Sequence, residues 1–360
     1  VLECRNVHLD GVRIHNRVNK NNDGFHFRSS EHVTVSNCDV ACQDDACALF
    51  GSNRFVTVTN CTFSTRWSIF RFGGGQCRDI AVSNCLIYET YGCAIKMRCG
   101  ANSRLENISF NNLVMRDVTG PISIGLSSTR RRSTSTAPST EPASNPSTRP
   151  FERGVVRNIS FNAIRATVVA TGGQYEDMGF QQSYRPGETR TCITLNGVGD
   201  DFLENISLTD VHVTYEGGGT AVEASREVPK IAGEYFEIGT PPAYGVYARN
   251  VRGLTLHNVR LETKTPDLRP AVVFDHVHDA AVNGLSAAGN PAAQSLLRFV
   301  DSKDVLVSAA RVLSPASTFL RIEGDSNESI VIDGGQLTKA AKPLACAEGT
   351  NPKAVTLRGV

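Results

Sequence analysis

A short pattern that returns about every 25 residues constrains this chain more than any other feature. A charged or polar residue is followed by alternating apolar and polar residues, then by Asn or another small residue. It reads Arg5-Asn-Val-His-Leu-Asp, Glu31-His-Val-Thr-Val-Ser-Asn-Cys, Arg54-Phe-Val-Thr-Val-Thr-Asn-Cys and Arg78-Asp-Ile-Ala-Val-Ser-Asn-Cys. Later copies begin at Glu106, Arg157, Glu204, Arg252, His278, Lys303 and Glu328, giving steps of 26, 23, 24, 28, 51, 47, 48, 26, 25 and 25 residues. The three long steps are close to twice the short ones, so each holds either a degenerate coil or a loop insertion. Alternation with period two is the signature of a strand with one buried face. Helical spacing is rarely sustained.

Several short strands in a period near 25 predict a solenoid. The Leu-x-x-Leu-x-Leu frame of leucine-rich repeats is absent, so the expectation is all-β: a right-handed parallel β-helix, a single-stranded solenoid. Residues 1–360 then form one domain of about thirteen or fourteen turns, less what the loops consume. With 40% apolar and 20% charged residues the chain can fill a long core, which excludes the disordered class. Lys and Arg number 37 against 36 Asp and Glu, a net charge of +1. That balance gives no general basic field, so neither nucleic acid nor a membrane is an expected partner. No apolar run is long enough to span a bilayer.

Stacking places Asn37, Asn60 and Asn84 above one another, and Cys38, Cys61 and Cys85 likewise. Stacked amides can hydrogen-bond along the column, and thiols fill narrow interior corners. The eleven cysteines, nine of them in the first hundred residues, therefore read mainly as packing; a disulfide or two is the alternative, and no zinc spacing is present. A low-complexity insertion at about 127–152, including Arg130, Arg131 and Arg132, reads as a solvated loop. Residues 171–190 read as a second long loop.

Three carboxylates interrupt the first rungs. Asn21-Asn22-Asp23-Gly24 is followed by Gln43-Asp44-Asp45, so Asp44 and Asp45 lie 21 and 22 residues after Asp23, close to one coil. A further 21 residues reaches Arg66, in Thr65-Arg66-Trp67, and Arg71, Lys96 and Arg98 follow. Clustered carboxylates repel, so at least one pKa should rise and leave a proton donor beside an acceptor. Glycosidic hydrolysis needs that combination, and nearby cations could hold a sugar carboxylate. The plain alternative is that Asp-Gly and Asn-Asp are ordinary turn formers.

These motifs resemble glycoside hydrolase family 28, the polygalacturonase and rhamnogalacturonase family. That family carries Asn-x-Asp, Gly-Asp-Asp, Gly-His-Gly and Arg-x-Lys on successive coils. Asn21-Asn22-Asp23 matches the first motif, and Gln43-Asp44-Asp45 the second apart from its Gly. Thr65-Arg66-Trp67 stands in place of the third, and Ala94-Ile95-Lys96 keeps only the Lys of the fourth. The detailed resemblance covers about residues 5–100. It implies Asp44 as general acid, Asp23 and Asp45 as the groups that position and deprotonate water, inversion at the anomeric carbon, and Lys96 on a galacturonate carboxylate. Arg66, Arg71 and Arg98 as substrate-binding cations, and Trp67 as a sugar platform, are inferred from position alone. For Trp67, a packed side chain is the alternative.

The expected function is hydrolysis of a pectin or rhamnogalacturonan-type polysaccharide by a monomer without cofactor or metal. Two alternatives stand beside it. One is a lyase whose acids hold Ca²⁺ while Lys96 or Arg66 abstracts a proton. The other is a glycan-binding β-helix without catalysis. The resemblance implies a secreted or periplasmic protein, although the chain opens in strand-like sequence with no signal peptide. Only 22 residues precede Asp23, so N-terminal coils and a cap are expected to be missing. Asn107, Asn158 and Asn205 match glycosylation sequons but read as strand ends. His8, His15, His26 and His32 read as structural or surface residues, and Gly73-Gly74-Gly75 as a tight turn or a point of close substrate approach.

Overall fold

The computed structural model describes residues 1–129, 151–180, 184, 188, 191–233 and 235–360. Its strands are parallel and run in three columns, here called sheets A, B and C, as expected of a parallel β-helix. Sheet A begins with Arg5–Asp10, Glu31–Ser36 and Arg54–Thr59. Sheet B begins with Arg13–Asn16, Asp39–Cys42 and Thr62–Thr65. Sheet C begins with Phe25–Arg28, Cys47–Phe50, Phe70–Gly73 and Ile95–Gly100.

All eleven repeat starts fall in one ladder, from Arg5 opposite Glu31 through to Lys303 opposite Glu328. Val355–Arg358 adds a twelfth rung, so the described chain has twelve rungs in sheet A. The ladder also settles the long steps. Glu106 pairs directly with Arg157, Arg157 with Glu204, and Glu204 with Arg252. No degenerate coil hides there, and each long step is an insertion. The low-complexity segment falls in the first of them, and its residues 130–150, with Arg130, Arg131 and Arg132, lie outside the described residues.

Asn37, Asn60, Asn84 and Asn112 all sit at φ between 53° and 56°, the left-handed bend between sheets A and B. Asn tolerates that conformation better than most residues, which explains its return at this corner. The Asn112 side chain donates to Asn84 Oδ1 at 2.9 Å. A second amide ladder runs through the sequon residues. Asn158 donates to Asn107, and Asn205 to Asn158, each at 3.1 Å. These residues bend the middle of strands rather than ending them.

Cys38, Cys61 and Cys85 are buried in the corner beside the first ladder, and all eleven cysteines are free thiols. Inside, aromatic rings stack from coil to coil, as in Phe110 on Phe161 with centroids 5.2 Å apart. Each buried ring contributes about 1.5–3 kcal/mol, so the core stabilises the array rung by rung.

Two of the insertions, residues 169–192 and 216–245, leave from the corner between sheets B and C. The second carries the short helices Ala221–Ala224 and Tyr235–Ile238. The second lies over the outer face of sheet C, while the described residues of the first pack against Arg17, Arg66 and Tyr91 at the corner.

Candidate active site

The B-to-C corner of the first coils carries the three aspartates. Asn21 takes a left-handed conformation (φ 58°), and its backbone N–H donates to Gln43 Oε1 at 2.8 Å. The carbonyl of Asn22 accepts from the backbone N–H groups of Gln43 and Asp44. Gly24 follows because the next coil leaves no room: a Cβ there would stand 2.4 Å from the Ala46 carbonyl oxygen. The Asn-Asn-Asp-Gly sequence is therefore a turn, as its composition suggested. It is also the turn that brings Asp23 against the next coil.

One carboxylate oxygen from each of Asp23, Asp44 and Asp45 lies within 4.8 Å of the others. Asp44 is half-buried, and burial, with help from the charges of Asp45 and Asp23, pushes its carboxyl up to about 6. Asp45 is buried (7% exposed); burial raises its pKa, while Lys96 and Arg71 pull the other way. Its Oδ1 carries no hydrogen bond and stands 3.9 Å from Lys96 Nζ. The backbone of Asp44 is held by the Thr65 hydroxyl, which donates to its carbonyl. The cluster thus combines a carboxyl that keeps its proton into the weakly acidic range with a buried acceptor beside a cation.

Register explains the cations. In sheet C, His26, Ala48, Arg71 and Lys96 form one outward column, and Arg28, Phe50, Gly73 and Arg98 the next. Lys96 is buried (1% exposed) despite its charge. Its ammonium lies between Asp45 and the face of Trp67, whose centroid is 5.0 Å away. Arg71 donates to the Phe72 carbonyl and lies over the Phe50 ring. Arg98 reaches Glu237 at 3.6 Å, and the ring of Phe236 lies 5.8 Å from that of Trp67. Trp67 is therefore partly buried, with one neighbour supplied by the 216–245 insertion. Arg71, Gly73 and Arg98 line a cleft of about 630 Å³ whose other wall is Lys230 to Gly233.

Arg66 behaves differently. It is buried, pairs with buried Glu188 at 2.6 Å, donates to the Tyr91 carbonyl and stacks on Tyr184 at 4.2 Å. Its guanidinium anchors the 169–192 insertion. Arg17 does the same further out, pairing with Asp177 at 3.0 Å and lying 4.0 Å over Tyr175. Ala94, in place of the expected Arg, is fully buried at the corner.

Sequence reasoning missed His26. Its Nδ1 lies 2.6 Å from Asp23 Oδ2, and its ring stacks on Phe50. A search for metal-ligand spacing passed over it. The available signal was the Phe25-His26-Phe27 alternation directly after the turn, which points His26 outward on the face that carries Arg71 and Lys96. Glu188, Phe236 and Glu237 were also missed, and no local pattern marks them.

Comparison with known proteins matches residues 1–175 to Glycosyl hydrolases family 28. A polygalacturonase of Fusarium fujikuroi is 31% identical over 104 residues, 28% of each chain. A probable endo-xylogalacturonan hydrolase A of Neosartorya fischeri is 31% identical over 121 residues, 31% of this chain and 30% of its own. A polygalacturonase of Persea americana is 30% identical over 111 residues, 29% of this chain and 24% of its own. The chain thus covers under a third of the length of these curated relatives. The A-module of a mannuronan C-5 epimerase from Azotobacter vinelandii superposes over 98% of this chain and 91% of its own, at a TM-score of 0.42 and 10% identity, too distant to bear on the site. The three aspartates and Lys96 all lie within residues 1–175, the part of the chain that is similar to glycosyl hydrolases family 28.

Proposed function

We propose that the protein hydrolyses a glycosidic bond in a galacturonate-containing, pectin-type glycan. The observation that carries the reading is the triangle of Asp23, Asp44 and Asp45 with the Asp44 carboxyl raised to about 6. Asp44 holds its proton into the weakly acidic range and donates it to the leaving oxygen. Asp45, whose Oδ1 has acceptor capacity to spare, and Asp23, oriented by His26, take the proton of the attacking water. Lys96, with Arg71 in the same column, offers positive charge to a sugar carboxylate beside the cleaved bond. Trp67 contributes the apolar wall, and Arg66 positions the site by fixing the 169–192 insertion. The glycan is expected to come from outside the cell, where such polymers occur. Among the described residues no helix is long and apolar enough to cross a membrane.

The reading includes inversion, which rests on the family resemblance. Carboxylate oxygens within 4.8 Å are closer than the roughly 6.5–9.5 Å typical of an inverting acid and base, so the separation alone does not argue for it. Proton NMR of the first product decides: the inverted anomer is expected, and the retained anomer would remove this part of the mechanism. The broader reading is tested by Asp44→Asn on polygalacturonate and on rhamnogalacturonan. A loss of about 10²–10⁴-fold in kcat is expected, and unchanged hydrolysis of every galacturonate-containing substrate would overturn it.

A further inference from the structure

A second cleft, of about 610 Å³, opens on the same face of sheet C toward the later coils. Its floor continues the column of the candidate active site: Lys96, Ser123, Thr194, Tyr247, Val273 and Arg298 follow one another without a break. Five steps of about 4.8 Å put Arg298 roughly 24 Å from Lys96. The 216–245 insertion stands between the two clefts, and Lys230 lines both.

Two buried arginines lie in this cleft, and neither forms a direct ion pair with an acid among the described residues. Arg249, 7% exposed, donates to Asn196 Oδ1 and to the carbonyls of Gly197, Val228 and Pro229, all neutral acceptors. Arg298, 9% exposed, makes one hydrogen bond, from Nη1 to the Ala224 carbonyl at 2.7 Å, and its Nε has no partner. Three of the acids in the lining are engaged elsewhere. Asp275 accepts from the Tyr247 hydroxyl and meets His276 Nδ1, Glu323 pairs with Arg321, and Asp200 pairs with Arg153. The fourth, Glu227, is exposed at the rim.

A buried guanidinium without a counter-charge is costly, and its planar fork fits a carboxylate. Burial accordingly pushes the Arg298 guanidinium down from its ordinary value. The carbonyl bonds of Arg249 account for holding the insertion in place. They leave two guanidinium groups facing one cavity, with Asp275 and Glu323 offsetting the burial of Arg298 only in part and without a direct ion pair.

We infer that this second cleft binds a carboxylate-bearing sugar, with Arg298 and Arg249 supplying the charge that receives the carboxylate. The choice of a galacturonate probe rests on the functional reading above. The site itself rests on the cleft and its two arginines.

The test is calorimetric titration of the Asp44→Asn protein, in which hydrolysis is suppressed, with trigalacturonate, and with a neutral galactose trisaccharide as control. Two binding events are expected for the acidic sugar. Arg298→Leu should weaken one of them by about tenfold or more and leave the other in place. Arg298→Lys should keep part of the affinity. Should Arg298→Leu fail to fold, hydrogen exchange on the parent protein gives the same answer, because trigalacturonate should slow exchange at residues 224–230. A single event, equal binding of the neutral sugar, or indifference to Arg298 together with unchanged exchange would overturn the inference. Wild-type protein that cleaves no pectic glycan yet shows Arg298-dependent uronate binding would sink the catalytic reading and leave this one standing.

Discussion

Arg66 and Glu188 meet at 2.6 Å, and both side chains are almost wholly buried. The pair spans 122 residues of sequence and joins the third coil to the 169–192 insertion. Removing one partner leaves an unpaired charge in the interior, which costs about 3–5 kcal/mol. Glu188→Ala and Arg66→Met should each lower stability in urea unfolding by that amount. The double replacement Arg66→Met with Glu188→Leu should recover most of the loss, because an apolar pair of similar volume needs no desolvated charge. Equal losses in the double and single variants would show that the pair does not act as a unit. Arg66→Met alone should also lower activity, through the insertion it anchors rather than through lost contact with a sugar.

This pair also marks the limit of what the sequence discloses. The solenoid was legible because its information is periodic. Eleven starts at a common step can align in only one register, and the ladder from Arg5 to Glu328 is that register. The aspartates were legible for the same reason, since 21 and 22 residues nearly equal one coil. The role of Arg66 depends on an acid in an insertion that follows no period, so spacing could place its backbone but not its guanidinium. The same holds for Trp67 and Arg98, which take Phe236 and Glu237 as neighbours from a second aperiodic segment. His26 was legible and overlooked, as a turn followed by strict alternation fixes the direction in which it points.

The raised Asp44 pKa sets a pH dependence. In the proposed role of general acid it must be protonated, so kcat/KM should fall above about pH 6 as Asp44 ionises. The neighbouring charges fix the direction of change in variants. Asp45→Asn and Asp23→Asn each remove a negative charge that raises the Asp44 pKa, and should move its titration to lower pH. Lys96→Met removes the charge that lowers it and should move the titration up. Carbon NMR of the side-chain carboxyls reads these shifts directly, without requiring the variants to be active. A titration of Asp44 near the ordinary carboxylate value in the parent protein would refute the assignment.

A lyase would need a divalent cation on the three aspartates and a base to abstract a proton. The triangle could physically hold such an ion, but the basic side chains around it are otherwise engaged. Arg66 is paired with Glu188, and Lys96 stands 3.9 Å from Asp45 and over the Trp67 ring. Activity on polygalacturonate should therefore survive a chelator unchanged, and the products should show no ultraviolet absorbance from an unsaturated sugar. Chelator-sensitive absorbance would transfer the site to the lyase class.

The same carboxyl that serves the proposed reaction should weaken the fold. Asp44 binds its proton more tightly in the native state, near 6, than in the unfolded chain, near 3.8. Between those values the native protein holds more protons than the unfolded one, so stability falls as pH rises through that window and stays reduced above it. Asp44→Asn cannot ionise and escapes the penalty. The variant should be more stable than the parent at pH 7 by about 1–3 kcal/mol, the lower end applying because the group is only half-buried. The difference should vanish well below the unfolded-state value, by about pH 3, where the parent carboxyl is protonated in both states. Urea unfolding of the two proteins at about pH 7 and about pH 3 measures both ends of the window. A variant less stable than the parent at pH 7 would mean that the Asp44 carboxylate is stabilised by its surroundings, and a site that stabilises the anion would be a poor place to keep a general acid.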